Sequence, residues 1–238
     1  IYCNLPVWIE FPLALIIGGL VAAIFGVIIG IPALRLNGDY LAIVTLAFGE
    51  IIRSVLNNVK FTGGAGGLKG IDKTSNFTIA YILVILTLIV ITNVVHSRHG
   101  RAIMAIRDNI IAAQSVGINI VYYKLVAFVG AAFFAGVAGV LYGHNLGILK
   151  PSTFDFNKSI EILVIVVLGG MGNFRGSIIA AVLLTLLPEV LRGLSDYRML
   201  IYSIVLIVMM LFNWAPKCIE WRQKMAQKFR KNTKKEAV

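Results

Sequence analysis

Predominantly apolar runs recur along this chain at 11–34, 39–58, 77–97, 123–144, 158–172, 176–194 and 197–215. A hydrocarbon core about 30 Å thick takes roughly 20 helical residues to cross. The pattern therefore predicts about seven crossings, all helical, because a helix satisfies its own backbone polar groups in lipid. The fifth run is short, at roughly 15 residues, and ends in GGMGNFRG, so a re-entrant half-helix is an alternative to a full crossing there. The short alternating strands of an outer-membrane barrel do not occur in the pattern. The predicted fold class is all-α, a polytopic transmembrane helix bundle.

Composition agrees with the pattern: 58% of 238 residues are hydrophobic and 14% charged, and the mean hydropathy is +0.87, far from average soluble usage. The net charge of +11 would suggest a nucleic-acid partner in a soluble chain. Much of it sits instead in KCIEWRQKMAQKFRKNTKKEAV, predicted as a basic cytoplasmic tail (217–238) against anionic headgroups, behind a transmembrane domain over 1–216. Membrane lipid is thus an expected partner, and nucleic acid is not. Cys3 and Cys218 lie at opposite ends and suggest neither a disulfide framework nor a metal site.

Lys and Arg in short loops set orientation. With the tail inside, counting back places Arg35, the loop 98–124 and Arg175 inside as well, about 14 basic residues against about 8 outside, a bias that depends on the tail. Residues 59–76 and 145–157 become external loops, and Ile1 falls outside. An external start without Met leads us to expect crossings upstream of Ile1. No solenoid repeat and no soluble domain is apparent.

Several motifs bear on chemistry. TGGAGGLKG superficially resembles a phosphate loop, but Lys69 follows Leu68 and precedes Gly70, where a P-loop needs Gly-Lys-Ser/Thr leading into a helix. Gly63, Gly64, Gly66 and Gly67 fit a tight external loop. Glu50 and Arg53 lie at i, i+3 in the outer half of the second run, either as a self-neutralising pair or as part of an outer gate. Glu189 and Arg192 repeat the spacing after Pro188. Gly169, Gly170 and Gly172 suit a sharp turn, with a gating turn as the alternative, and Ala132, Gly136 and Val140 read as a helix-packing face. Asp39 is expected to cap the second helix. His96 and His99 sit three apart with His144 remote, so no metal set forms. No nucleophile, base or paired-carboxylate arrangement points to catalysis, and the chain is not expected to be an enzyme.

The most informative stretch is GRAIMAIRDNIIAAQSVGIN, residues 100–119, which breaks the apolar pattern. It is predicted to form a short amphipathic helix pair: Ile103, Met104, Ile106, Ile110 and Ile111 are apolar, while Arg101, Arg107, Asp108 and Asn109 are polar. Such a unit either rests on the membrane surface or docks into a groove of a soluble partner.

Ala112, Ala113 and, after three residues, Gly117 resemble the cytoplasmic "EAA" loop of ABC importer permeases, with Ile111 where that motif opens on Glu. Together with RLNGDYLAIVTLAFGEIIR (35–53), TGGAGGLKGI (62–71), HGRAIMAIRDNIIAAQSVGINIVYYKLVAF (99–128) and LGGMGNFRGSIIAAVLLTLLPEVLR (168–192), the chain resembles the permease of branched-chain amino acid ABC importers. It is most similar to the longer of the two paralogous permeases, and permeases for urea and short amides share much of the pattern.

The resemblance implies a multi-pass subunit of a bacterial-type plasma (inner) membrane. Its implied partners are two cytoplasmic ABC ATPase subunits, a second paralogous permease and a periplasmic or extracellular substrate-binding protein. The loop, with Arg101, Arg107, Asp108, Ala112, Ala113 and Gly117, would couple to the ATPases. The glycine loop would face the binding protein or the substrate entrance. No cofactor is expected in this chain, since ATP would be used by the partners. The competing class is an ion-coupled secondary transporter, which would need ion-coordinating carboxylates or broken helices at the midplane.

Overall fold

The computed structural model describes residues 7–36, 38–170 and 172–190, together with 203, 204 and 207. Both cysteines, Met171, Arg192, the tail and nearly all of the 197–215 run lie outside the described residues. The described chain is helical almost throughout: α1 (Val7–Ala33), α2 (Asp39–Asn58), α3 (Phe77–His96), α4 (Arg98–Asp108), α5 (Ile110–Ser115), α6 (Ile120–Leu146), α7 (Phe156–Gly169) and α8 (Phe174–Val190). Two two-residue strands, β1 (Leu68–Lys69) and β2 (Ile148–Leu149), and short 3₁₀ turns at Lys60–Thr62, Gly64–Gly66 and Pro151–Thr153 lie in the connections. Among the described residues four helices are long and apolar enough to cross a membrane, namely 9–33, 40–58, 77–96 and 120–146. The chain divides into two compact units, Ile1–Phe156 and Asn157–Val238.

The first unit is organised around α1 and α6, which run antiparallel in close contact. Lipid offers no hydrophobic force between helices, so association relies on close van der Waals packing, which small residues permit. Gly18, Ala22, Gly26 and Gly30 recur every four residues and form one face of α1. A Cβ on Gly136 would lie 2.5 Å from the Ala22 Cβ and 2.6 Å from the Gly18 carbonyl oxygen. One on Gly18 would collide with Val140, one on Gly26 would lie 2.8 Å from the Ala132 Cβ, and one on Gly30 2.8 Å from Leu125. The Ala132, Gly136 and Val140 face expected from sequence is thus the α6 half of this seam.

The two ends of this pair carry different loops. At one end, the α1–α2 turn at Leu34 and Arg35 lies beside α5 and the start of α6, so the two loops expected on one side do share an end. At the opposite end the two predicted external loops pair through β1 and β2, with Leu68 opposite Leu149 and Lys69 opposite Ile148. Gly67 adopts φ +76°, and a Cβ there would lie 2.5 Å from the Leu149 carbonyl oxygen, so this crossing requires glycine. His144 Nδ1 lies 2.9 Å from the Asp72 carbonyl oxygen and 3.0 Å from Thr74 Oγ1, and its ring meets Phe11 edge-on at 5.2 Å.

One expectation is corrected. Helix α2 begins at Asp39 itself, with Gly38 as N-cap and no side-chain cap hydrogen bond. Asp39 occupies the first helical position.

In the second unit, α7 is 14 residues long, shorter than a full crossing requires. A tight corner joins it to α8: a Cβ on Gly169 or on Gly176 would collide with the opposing backbone, and Asn173 Oδ1 accepts from the Gly176 N–H at 3.3 Å.

The α1–α6 seam yields a direct test. Gly136→Val should cost about 1–3 kcal/mol, the usual range for overpacking, in reversible unfolding titrations in mixed micelles. Gly139→Val, whose Cβ would meet nothing within 4 Å, should stay within about 0.5 kcal/mol. Equal losses would refute the seam.

Candidate functional site

The loop between α3 and α6 is built from locally specified turns. Ser97 caps α4 by accepting from the Gly100 N–H at 3.2 Å. Gly100 itself is pressed against the carbonyls of Val94 and Val95, where a side chain would collide. Arg101 Nη1 donates to the His96 carbonyl oxygen at 2.8 Å, giving the last turn of α3 a cationic partner. Helix α4 buries Ile106, 5% exposed, and leaves Ile103 and Met104 half-buried.

Asn109, extended at φ −155° and ψ 108°, ends α4 and starts α5. Its Oδ1 accepts from the Ala112 N–H at 3.0 Å, an N-cap of the kind Asn favours. The expected helix pair is therefore two helices broken at one asparagine. Helix α5 closes with the Ile118 N–H donating to the Ala113 carbonyl at 3.1 Å and the Gly117 N–H to the Gln114 carbonyl at 3.0 Å. Gly117 has φ +84°. This is a Schellman motif, and its left-handed position favours glycine.

The candidate coupling residues divide into distinct roles. Ala113 is buried, at 4% exposed, and packs into this chain. Ala112 is exposed. Arg107 and Asp108 pair with each other at 2.8 Å on an exposed surface, a contact worth little to stability. Gly117 acts through the turn, since nothing lies within 4 Å of where its Cβ would be. The outward surface of the loop is formed by Ile111 and Val116, 80% and 79% exposed. At about 100° per residue, Ile111 lies nearly opposite Ala113. Val116 was not singled out from sequence. The signal available was the inward side of α5 at Ala113, and a six-residue helix has too few turns to reveal it.

The other candidates resolve into structure. Arg53 Nε and Nη2 donate to Glu50 Oε2 at 2.9 and 2.5 Å, with both side chains about one-third to two-fifths exposed. The i, i+3 pair is therefore formed on α2. Lys69 lies in β1, and no helix begins between it and Phe77, so the glycine loop lacks the helix that a phosphate loop feeds. Gly63, Gly64 and Gly66 lie in and between the 3₁₀ turns Lys60–Thr62 and Gly64–Gly66. Gly169, Gly170 and Gly172 form the α7–α8 corner. Among the described residues no group of three His, Cys, Asp or Glu is placed to hold a metal.

A family described as "Branched-chain amino acid transport system / permease component" matches residues 2–213. The "High-affinity branched-chain amino acid transport system permease protein LivM" of Salmonella typhimurium is 39% identical over 91% of this chain and 58% of its own length. Its Escherichia coli counterpart is 38% identical over the same shares. The permease protein LivH of the Escherichia coli system is 28% identical over 58% of this chain and 46% of its own length. The chain thus spans 58% of the length of the LivM proteins it matches. No solved structure matches it.

The turn chemistry at Gly117 predicts a graded response. Gly117→Val should speed hydrogen exchange at the Ile118 amide by about tenfold, the cost of forcing a branched residue to positive φ. Gly117→Asn, which tolerates that region, should retain most of the protection. Identical exchange in both variants would remove the motif's role.

Proposed function

The chain belongs to the branched-chain amino acid transport system permease family, and from that membership we propose that it is a membrane-spanning subunit of an ATP-driven importer of leucine, isoleucine or valine. It works in a bacterial-type inner membrane beside a second, paralogous permease. Two cytoplasmic ATPase subunits supply the energy, and an external binding protein delivers the solute. The observation that carries this reading is the outward pair Ile111 and Val116 on a loop secured by caps at both ends. An exposed apolar knob on a braced short helix suits insertion into a groove of a soluble partner. Arg101 and Gly117 hold the loop's shape, Ala113 fastens it to its own chain, and Arg107, Asp108 and Ala112 border the docking face.

At the other end, the Gly63–Gly67 loop, tied to β2, faces the binding protein. The Glu50–Arg53 pair contributes to an outer gate, and in the second unit the corner at Gly169, Gly170 and Gly172 is a gating turn. Because Glu50 is neutralised by its own neighbour, it is a poor coupling-ion ligand, which weighs against an ion-driven transporter. A permease fed by a binding protein needs only weak affinity, in keeping with the scarcity of charge along the spans.

With the whole complex expressed, Ile111→Asp and Val116→Asp should each lower ATP-dependent leucine uptake about tenfold, the scale of losing one interface anchor. Membrane insertion should be unchanged, and ATP hydrolysis should lose its response to the binding protein. Normal uptake in both variants would reject the docking assignment. Uptake by the purified chain alone on an imposed ion gradient would replace it with a secondary transporter.

A further inference from the structure

We propose that the groove between the α1–α2 turn and the α5–α6 junction holds the phosphate of an anionic phospholipid. Its position is the first argument. Helix α1 ends at Ala33 and α6 begins at Ile120, so a groove lined by Leu34 and Val121 lies where the apolar spans stop, at headgroup depth. Tyr122 and Tyr123, adjacent on α6 with ring centroids 5.4 Å apart, are side chains typical of that layer.

Charge is the second argument. Arg35 and Lys124 both line the groove, and among the described residues no acidic side chain lines it and neither cation has an acidic partner. The carboxylate nearest in sequence on the loop, Asp108, is engaged by Arg107. Two unneutralised cations beside apolar walls match a headgroup phosphate followed by the first methylenes of its acyl chains. Gln114 lines the same groove and adds an amide donor. An acidic segment of a soluble protein would satisfy the charges but not the apolar walls at the membrane boundary. The groove shares Gln114 and Gly117 with the coupling loop, whereas the proposed docking residues Ile111 and Val116 do not line it.

The test uses the full chain in a neutral detergent, titrated with dioleoylphosphatidylglycerol, dioleoylphosphatidylcholine or free glycerol 3-phosphate, with bound lipid counted by native mass spectrometry. Near an anionic surface each basic residue contributes enough that losing two should weaken phosphatidylglycerol binding about thirtyfold. The Arg35→Gln/Lys124→Gln variant should show that loss with phosphatidylcholine binding unchanged, and Arg35→Lys/Lys124→Arg should restore it. Matching helical content by circular dichroism separates the effect from misfolding. Unchanged phosphatidylglycerol binding in the double glutamine variant would overturn the proposal. So would competition by free glycerol 3-phosphate at the lipid's own concentration.

Discussion

Close backbone approach between α1 and α6 is the constraint on which the first unit depends. Burial is sparse: the buried apolar side chains of the described chain are those of Phe11, Leu15, Ala33, Ile106, Ala113, Ala180 and Leu184. The 18-residue windows of α2 and α3 contain no buried residue. In water such a chain would have no core, whereas in lipid the exposed apolar faces are already solvated. What remains to specify the fold is contact geometry. The glycine ladder of α1 supplies it, by letting Gly18 and Gly136 meet with almost no side chain between them.

That seam gives α6 its mechanical place. At its first turn α6 is capped by Asn119 and follows directly on the Schellman turn of α5. At its last turn it carries His144 and runs through Gly147 into β2, which pairs with the glycine loop. One 27-residue helix, clamped along its length by α1, therefore joins the proposed coupling loop to the proposed entrance. Docking at Ile111 and Val116, as proposed, would thus act on an element whose far end holds the β1–β2 clasp. Rigid packing favours discrete rearrangement over gradual deformation.

Much of this was legible in the sequence, because transmembrane spans are written in long apolar runs. The run at 39–58 coincides with α2, and 77–97 differs from α3 by one residue at its end. Helix α6 exceeds the expected 123–144 at both ends because its caps, Asn119 and Gly147, lie beyond the apolar stretch. The glycine spacing on α6 was readable as packing. The matching ladder on α1, Gly18 to Gly30 at intervals of four, was there to be read as well. The β1–β2 pairing was not, since two-residue strands carry no periodicity and their register depends on Gly67 meeting Leu149. Nor was the inward turn of Ala113, because which side of a six-residue helix is covered is decided by tertiary packing and not by local pattern.

In the proposed assembly, α5 and its C-cap meet an ATPase through Ile111 and Val116 while Ala113 stays within its own chain. The most direct test places a photocrosslinking amino acid at position 111, or at 113, in the full chain expressed with its transport partners in intact cells. The account predicts a crosslink from 111 to an ATP-binding-cassette subunit and none from 113. A position-111 probe that crosslinks only to lipid, in cells that still take up leucine, would contradict it.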